Sequence, residues 1–443
     1  MDDKIKINLY IDGEYKSFDS FASETLADLL KKNNYRGIRR ACDGGNCGGC
    51  TVLINKKPML SCLLLTSQIK NAEILTITGL LKYNEDMLIL QNCFKQVGAA
   101  QCGFCTCGFI MATAGLYFFN KNPNNAEIIK ALSGNLCRCT GYEKIISAAH
   151  NFFKIINSAV NQKSAINFDD GHNDAQPFGK PITKIDSAGL TSGSANYTSD
   201  INLDKQLILK LFCAPVAHAN IKKLDVSEAE KINGVHLILT NQNTPTKNFS
   251  TAAQGYPEPS PFDTRLFPDK IRFFGEPLAA VIAETEAIAD AAIKKIKLEY
   301  EELPVILNFE EAYFTPKAII HSEIEKLPQP LANFEDYKRN LAASFEYEYG
   351  NNNDWSDLLI VEDTFETSKQ QHCHLEPHCA IAYIDEYSRL NIISSTQVPF
   401  DTRRVIAQLF DLPFSQVRVI KPRVGGGFGG KQEILVEQYV SAA

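Results

Sequence analysis

The chain has 443 residues, 44% of them apolar and 22% charged; this composition excludes wholesale disorder and collagen-like structure, and the length predicts about three domains. Lys and Arg number 45 against 52 Asp and Glu, a net charge of -7, so no nucleic-acid partner is expected, because phosphate binding needs clustered positive charge. No apolar run reaches the about 18 residues of a membrane span, and Met1-Asp2-Asp3-Lys4-Ile5 lacks the apolar core of a secretory signal, so no membrane association and a cytoplasmic location are expected.

Residues 5–11 alternate, with Ile5, Ile7, Leu9 and Ile11 on one face, and predict a half-buried strand. Asp12-Gly13 predicts a hairpin turn and Glu14–Phe18 the return strand. Ser23 is the expected N-cap of a helix over Glu24–Lys32 with the stripe Leu26, Leu29 and Leu30. Short strands at Thr51–Ile54 and Ile74–Ile77 complete a small mixed sheet crossed by one helix. Helices are then predicted at 87–97, 107–120, 125–133 and 143–157, a short bundle. Residues 158–180 are polar and aperiodic and read as a linker. Strands at 206–212, 235–240 and 278–283 and helices at 227–232 and 286–296 predict an α/β or α+β domain. Gln242–Pro268, with five prolines, is expected to be a surface loop, and a further module begins near Ala343.

Ten of the thirteen cysteines precede residue 140. In a reducing compartment such a concentration points to metal or redox chemistry rather than disulfides. Cys42, Cys47, Cys50 and Cys62 form C-x4-C-x2-C followed by a fourth Cys, the spacing of plant-type 2Fe–2S ferredoxins. Gly44, Gly45, Gly48 and Gly49 let the backbone wrap a cluster and turn its N–H groups to the sulfurs. A structural zinc site is the competing reading, although zinc knuckles more often come as two C-x2-C pairs. Cys102 and Cys105, with Cys137 and Cys139, form a second set that suits zinc or a second iron–sulfur cluster. Cys93 and Cys107 read as small buried hydrophobes.

Near the C-terminus, Val417-Arg-Val-Ile-Lys predicts a strand, Gly425–Lys431 a glycine loop, and Gln432 onward a helix whose N-terminus would make an anion site. Gly425-x-Gly427-x-x-Gly430 satisfies a dinucleotide fingerprint, and Gly425-x4-Gly430-Lys431 nearly satisfies Walker A, with Gln432 in place of Ser or Thr. His372, His374, Glu376 and His378 alternate, so on a strand they would share one face as a mononuclear metal site. Pro377 favours a polar edge instead.

Cys42–Cys50, Gln101-Cys-Gly-Phe-Cys-Thr and Gly134-Asn-Leu-Cys-Arg-Cys-Thr-Gly-Tyr142 resemble the iron–sulfur region of the xanthine dehydrogenase/aldehyde oxidase family of molybdenum hydroxylases. Cys107 departs from the Pro usual there. Gly193-Ser-Ala-Asn-Tyr-Thr-Ser-Asp200, His218-Ala-Asn-Ile221, Phe274-Gly-Glu-Pro-Leu-Ala-Ala280 and Glu299-Tyr-Glu-Glu-Leu-Pro304 resemble the family's a/b hammerhead domain. Gly425-Gly-Gly-Phe-Gly-Gly-Lys431, with Ser395-Thr-Gln397 and Arg403, is similar to the segment that lies against molybdopterin. Gln370-Gln-His372-Cys-His-Leu-Glu376 is similar to the segment whose leading Gln lies beside molybdenum.

The resemblance implies an α+β multidomain chain. It has a ferredoxin-like (β-grasp) 2Fe–2S domain over 1–80, a helical 2Fe–2S domain over 81–157, the linker 158–180, the hammerhead domain over 181–312, and the start of an α/β molybdopterin-binding domain over 343–443. It implies two 2Fe–2S clusters, held by Cys42, Cys47, Cys50 and Cys62 and by Cys102, Cys105, Cys137 and Cys139. It also implies a molybdopterin cofactor contacted by Gln101, Gly426, Gly427, Phe428 and Gly429, with Gln370 and Phe428 at the catalytic centre. The implied reaction is hydroxylation of a purine, another N-heterocycle or an aldehyde with water-derived oxygen. A linker stands where the family's FAD domain usually lies, so a separate flavoprotein or other electron acceptor is an expected partner. The family's catalytic Glu lies far downstream of the glycine loop. The expectation is therefore a fragment or split subunit, inactive alone, whose partner carries the C-terminal molybdenum domain. His218-Ala-Asn-Ile and Phe178-Gly-Lys-Pro lean towards the xanthine dehydrogenase branch, in which Glu commonly stands at the position of Gln432. The competing function is a non-catalytic two-cluster electron-transfer subunit with a vestigial cofactor domain.

Overall fold

The computed structural model describes residues 4–69, 71–158, 179, 182–252, 262–322, 340–341, 347, 349 and 359–443. The predicted linker lies outside the described residues except for 158 and 179. Two units divide the chain: one holds Met1–Ile201, Cys373–Pro377 and Pro422–Phe428, and the other Asn202–His372, His378–Lys421 and Gly429–Ala443.

In the first unit, β1 (Lys4–Ile11) pairs antiparallel with β2 (Glu14–Phe21) through the predicted Asp12-Gly13 turn. Helix α1 (Leu26–Lys32) crosses the sheet and buries Leu26, Leu29 and Leu30 on Ile7, Leu9 and Ile11. Its cap is Thr25 rather than Ser23: the Thr25 hydroxyl accepts the Asp28 N–H at 3.2 Å. Strands β3 (Thr51–Ile54), β4 (Lys57–Leu60) and β5 (Glu73–Leu75) complete a five-stranded sheet of order β2-β1-β5-β3-β4. Only β1 and β5 run parallel. The predicted strand Ile74–Ile77 is cut short, because Ile77 opens helix α2 (Ile77–Tyr83). Its apolar residues serve both elements, Ile74 in the sheet core and Ile77 in the helical core.

The remaining predicted helices form as α3 (Glu85–Gln96), α4 (Thr106–Phe119), α5 (Asn125–Leu132) and α6 (Glu143–Ile156). Asn84 caps α3, and Asn124 closes a capping box with Glu127 on α5. Helix α4 is buried almost all round, with Phe109, Ile110 and Met111 at its centre, so it is the axis of this core. Cys93 and Cys107 are in that core, as expected. Cys107 leaves the helix start intact, and its thiol faces the Leu190 carbonyl at 3.7 Å, at the end of α7 (Ser187–Ser192).

In the second unit, two three-stranded sheets contain β6 (Ile208–Cys213), β7 (Ala219–Asp225), β8 (Val235–Leu239), β9 (Lys270–Ile271), β10 (Pro277–Ala283) and β11 (Lys297–Glu302). Their orders are β6-β10-β8 and β11-β7-β9. The short helix α8 (Ser227–Glu230) and the longer α9 (Glu286–Ile293) bury Ala229, Ala289 and Ala292 against Val281 and Ala283. The mostly polar surfaces of β7 and β11 hide these strands from periodicity: Lys222 and Lys223 face Glu299 and Glu301 on exposed positions. A third sheet, β12 (Ala380–Ile384), β13 (Leu390–Ser394) and β14 (Val417–Ile420), packs with helix α11 (Pro399–Leu409), which follows α10 (Phe309–Phe314) in sequence. The proline-rich stretch 242–268 is not a surface loop throughout. Phe249, Leu266 and Phe267 are buried with Ile392, Ile406 and Tyr439, so its described parts are core. Each such side chain contributes about 1.5–3 kcal/mol by burial. Among the described residues no helix is long and apolar enough to cross a membrane.

Candidate cluster and cofactor sites

Cys42, Cys47 and Cys50 lie on the loop between α1 and β3, and Cys62 on a 3-10 turn over Ser61–Leu63. Gly45 and Gly48 adopt φ of 76° and 71°, the left-handed turns the loop requires. The Asn46 N–H donates to Cys42 Sγ at 3.3 Å, and the Gly49 N–H to Cys47 Sγ at 3.4 Å. Burial raises the Cys42 thiol, but the N–H groups of Gly44 and Asn46 and the Cys47 thiol outweigh it and hold it below the ordinary range. Burial raises Cys47, and burial together with the Cys50 thiol pushes Cys62 up to about 12. Cys42 and Cys47 thus act on each other thiol to thiol, as do Cys50 and Cys62, and Cys42 acts on Cys62 as well.

The second set is assembled from helix ends. Cys102 and Cys105 precede the first turn of α4, and Cys137 and Cys139 precede α6. Cys139 Sγ lies 3.5 Å from Cys102 Sγ, and Thr140 Oγ1 donates to Cys137 Sγ at 3.1 Å. The thiol bond from Cys105, then that from Cys139, lowers Cys137, and the bond to Cys137 leads in raising Cys105. The same opposition holds Cys102 down and Cys139 up. These four sulfurs form one linked run, Cys105 to Cys137 to Cys139 to Cys102. Among the described residues no three His, Cys, Asp or Glu side chains close on a single point as one ion requires. Four converging thiols in each set fit a 2Fe–2S centre, which takes four cysteine thiolates over two irons.

The two sets adjoin. The Leu136 N–H donates to the Cys47 carbonyl at 2.9 Å, and the Asn135 side-chain amide to the Gly48 carbonyl at 2.9 Å. A Cβ on Gly108 of α4 would run into Gly48 O and come to 2.8 Å from Asn135 Nδ2, so only glycine admits the loop there. Arg39, 2% exposed, is ion-paired with Asp200, donates to the Ala195 carbonyl at 2.8 Å, and stacks 4.5 Å from the Tyr197 ring. Tyr197 donates its hydroxyl to the Cys102 carbonyl at 2.7 Å. Residue chemistry alone gave no sign of this network.

The glycine loop follows β14 as predicted. The Gly425 N–H donates to Glu376 Oε2 at 2.6 Å, and the Glu376 N–H returns a bond to the Gly425 carbonyl at 3.1 Å. A Cβ on Gly425 would meet Glu376 and sit 2.7 Å from Phe104 Cδ2. Gly426 has φ 93°, Gly427 is buried, and Phe428 has φ 54° with 48% of its surface exposed. The Gly429 N–H donates to Gln397 Oε1 at 3.2 Å.

The predicted helix from Gln432 is not there. The next helix, α12 (Val436–Ala442), starts four residues later, so no helix N-terminus faces the glycines. Lys431 is fully buried with its ammonium on Ser395 Oγ at 2.6 Å rather than free for phosphate. Both the dinucleotide and Walker A readings fail on that geometry, because each needs a loop that opens a helix.

The His segment is not a strand either. Cys373 takes φ 53°, His374 Nδ1 bonds the Glu376 carbonyl at 2.7 Å, and β12 begins only at Ala380. His378 Nδ1 lies 3.6 Å from Glu437. The shared face of His372, His374, Glu376 and His378 therefore does not form, and with it goes the mononuclear site. Gln370 is exposed and donates its amide to Ser368 Oγ at 3.0 Å. Gln101 contributes its carbonyl, which accepts from Lys184 at 2.9 Å and from Arg423 at 3.1 Å. His218 is buried and its Nδ1 bonds the Pro304 carbonyl at 2.6 Å, a role in packing.

Comparison with known proteins agrees with this layout. Residues 9–76 match the 2Fe-2S iron-sulfur cluster binding domain and 76–150 the [2Fe-2S] binding domain. Residues 192–304 match the aldehyde oxidase and xanthine dehydrogenase a/b hammerhead domain, and 334–443 the molybdopterin cofactor-binding domain. The probable hypoxanthine oxidase XdhD of Escherichia coli K12 is 31% identical over 98% of this chain and 47% of its own length. The nicotinate dehydrogenase small FeS subunit of Eubacterium barkeri is 41% identical over 33% of this chain and 92% of its own. The solved aldehyde oxidoreductase of Desulfovibrio gigas superposes with a TM-score of 0.84 at 26% identity, over 99% of this chain and 48% of that one. The chain spans about half the length of the full-length relatives it matches. With two 2Fe–2S domains, a hammerhead domain and a molybdopterin cofactor-binding domain in succession, it belongs to the xanthine dehydrogenase/aldehyde oxidase family of molybdenum hydroxylases.

Proposed function

We propose that this chain is the electron-relay and cofactor-contacting part of a molybdenum hydroxylase that oxidises a purine, another N-heterocycle or an aldehyde. Cys42, Cys47, Cys50 and Cys62 hold one 2Fe–2S cluster, and Cys102, Cys105, Cys137 and Cys139 the other. The observation that carries this reading is the convergence of eight thiols into two adjoining sets of four, joined by the Leu136 N–H on the Cys47 carbonyl. Gly426, Gly427, Phe428 and Gly429 offer a backbone surface to molybdopterin, with Gln101 and Gln370 as further contacts. Molybdenum supplies the two-electron chemistry when bound; the chain's part is positioning and electrostatic tuning. N–H donors at Cys42, Cys47 and the helix starts favour the more negative reduced state of each cluster.

The domain division is proposed as 1–80, 81–157, 181–312 and 343–443. Hydroxylation is assigned to the chain together with whatever supplies the rest of the family's molybdenum domain, a separate subunit or a continuation. A flavoprotein or other carrier receives the electrons in the cytoplasm, where thiols stay reduced.

The test is anaerobic purification of the full chain from cells that also express its genomic neighbours. About four irons and four sulfides per chain, two distinct spin-resonance signals after dithionite, and bound molybdenum with pterin are expected. Iron without molybdenum in that assembly would leave the electron-transfer function alone.

A further inference from the structure

The segment that enters the glycine loop is fastened to the second cysteine set by one side chain. Arg423 is ion-paired with Asp186, donates Nη2 to the Gln101 carbonyl at 3.1 Å, and donates Nε to the Cys102 carbonyl at 3.4 Å. Its own N–H donates to the Asn196 carbonyl at 3.2 Å, beside the Tyr197 hydroxyl that also bonds Cys102 O. Two residues on, Gly425 admits no Cβ against Phe104, which stands between Cys102 and Cys105. A guanidinium is suited to this place, because its planar fork spans two successive carbonyls while its charge persists across the physiological pH range.

Arg423, Lys184 and Arg39 supply cations to this region, as does Arg138 between Cys137 and Cys139, and Asp186, Asp200 and Glu376 supply carboxylates. Loss of the Arg423 guanidinium leaves the region one charge more negative.

We propose that Arg423 is a positioning residue of the electron path: it docks the glycine-loop segment on the Gln101–Cys102 carbonyls and holds a positive charge that raises the reduction potential of the Cys102/Cys105/Cys137/Cys139 centre. This inference rests on the cluster assignment above. Reduction takes one electron from dithionite and turns one ferric ion ferrous, so the four-cysteine centre gains one negative charge. A nearby cation favours that product. One charge at an effective dielectric of about 20 and a separation of roughly 10 Å changes such an equilibrium by about tenfold.

The experiment is a dithionite titration of the full chain followed by spin resonance, on wild type, Arg423→Gln and Arg423→Lys. Asp186 also has Lys184 at 2.9 Å, a second cation for its carboxylate when Arg423 is replaced. Arg423→Gln is expected to cut the reduced-to-oxidised ratio of the second centre about tenfold at fixed potential, with the first centre unmoved. Arg423→Lys, which keeps the charge and loses the fork, is expected to stay within about threefold of wild type in that ratio. An Arg423→Gln protein with full iron content and an unshifted second midpoint overturns the inference alone. Equal shifts of both centres also overturn it, since they report a general loosening. Wild type without a second reducible signal overturns the cluster assignment and this inference with it.

Discussion

The two cysteine sets present their thiols in different ways. The first is local: three of its four cysteines sit within nine residues on a glycine-rich loop, Cys42 is exposed, and its backbone N–H groups reach the sulfurs directly. The second is composite: its pairs come from segments more than thirty residues apart, Cys105 and Cys137 are 5% and 9% exposed, and its surroundings come from Thr140, Tyr197 and Arg423. The local set has one solvent-exposed thiol, Cys42, although its Cys47 and Cys50 are as buried as Cys105 and Cys137. The composite set has no exposed thiol, and distant parts of the chain set its electrostatics.

The largest expected effect that tests the contrast is Cys137→Ser. Iron content should fall from about four to about two per chain, with one spin-resonance signal lost and the other kept. Loss of both signals would show that the sets do not form independently. Gly108→Ala strikes their junction, where a Cβ meets Gly48 O. Overpacking there should cost about 1–3 kcal/mol in chemical denaturation and disturb both signals. An unchanged midpoint and unchanged signals would mean the sets are not held together at that contact.

Cys93 provides a thiol in neither set. Burial pushes it up to about 12, so the folded chain keeps a proton that the unfolded thiol loses near pH 8.5. That contribution is complete below about pH 8.5 and is lost as pH rises toward 12, at no more than about 1.4 kcal/mol per pH unit. Cys93→Ala should flatten the alkaline fall in stability without changing iron content, as denaturation from pH 8 to 11 will register. The smallest effect is expected from Thr140→Val, which removes the hydroxyl bond to Cys137 Sγ. The second midpoint should drop by less than about 59 mV, a tenfold change for one electron, and the first should not move.

Much of this was legible in residue order. The hairpin around Asp12-Gly13, the C-x4-C-x2-C loop and the helices of the bundle were readable because turns, metal-ligand spacing and helical periodicity are local. Strands β7 and β11 were missed because their charged, exposed faces carry no alternation. Alternation offered a strand through His372–His378 as one reading, with Pro377 against it, and it does not register the left-handed turn at Cys373.

Sequence by itself determined which thiols are available, in what spacing, and which family the chain resembles, since ligand type and short spacing are written along the backbone. Only the tertiary structure decided that Cys139 Sγ comes to 3.5 Å from Cys102 Sγ, that Arg39 is buried against Asp200, and that Arg423 reaches the Cys102 carbonyl across 321 positions of chain. The physical reason is range. A turn or a ligand spacing is fixed by neighbours a few residues away, whereas the partner of a buried charge is selected by how remote segments pack, and no period in the sequence encodes that.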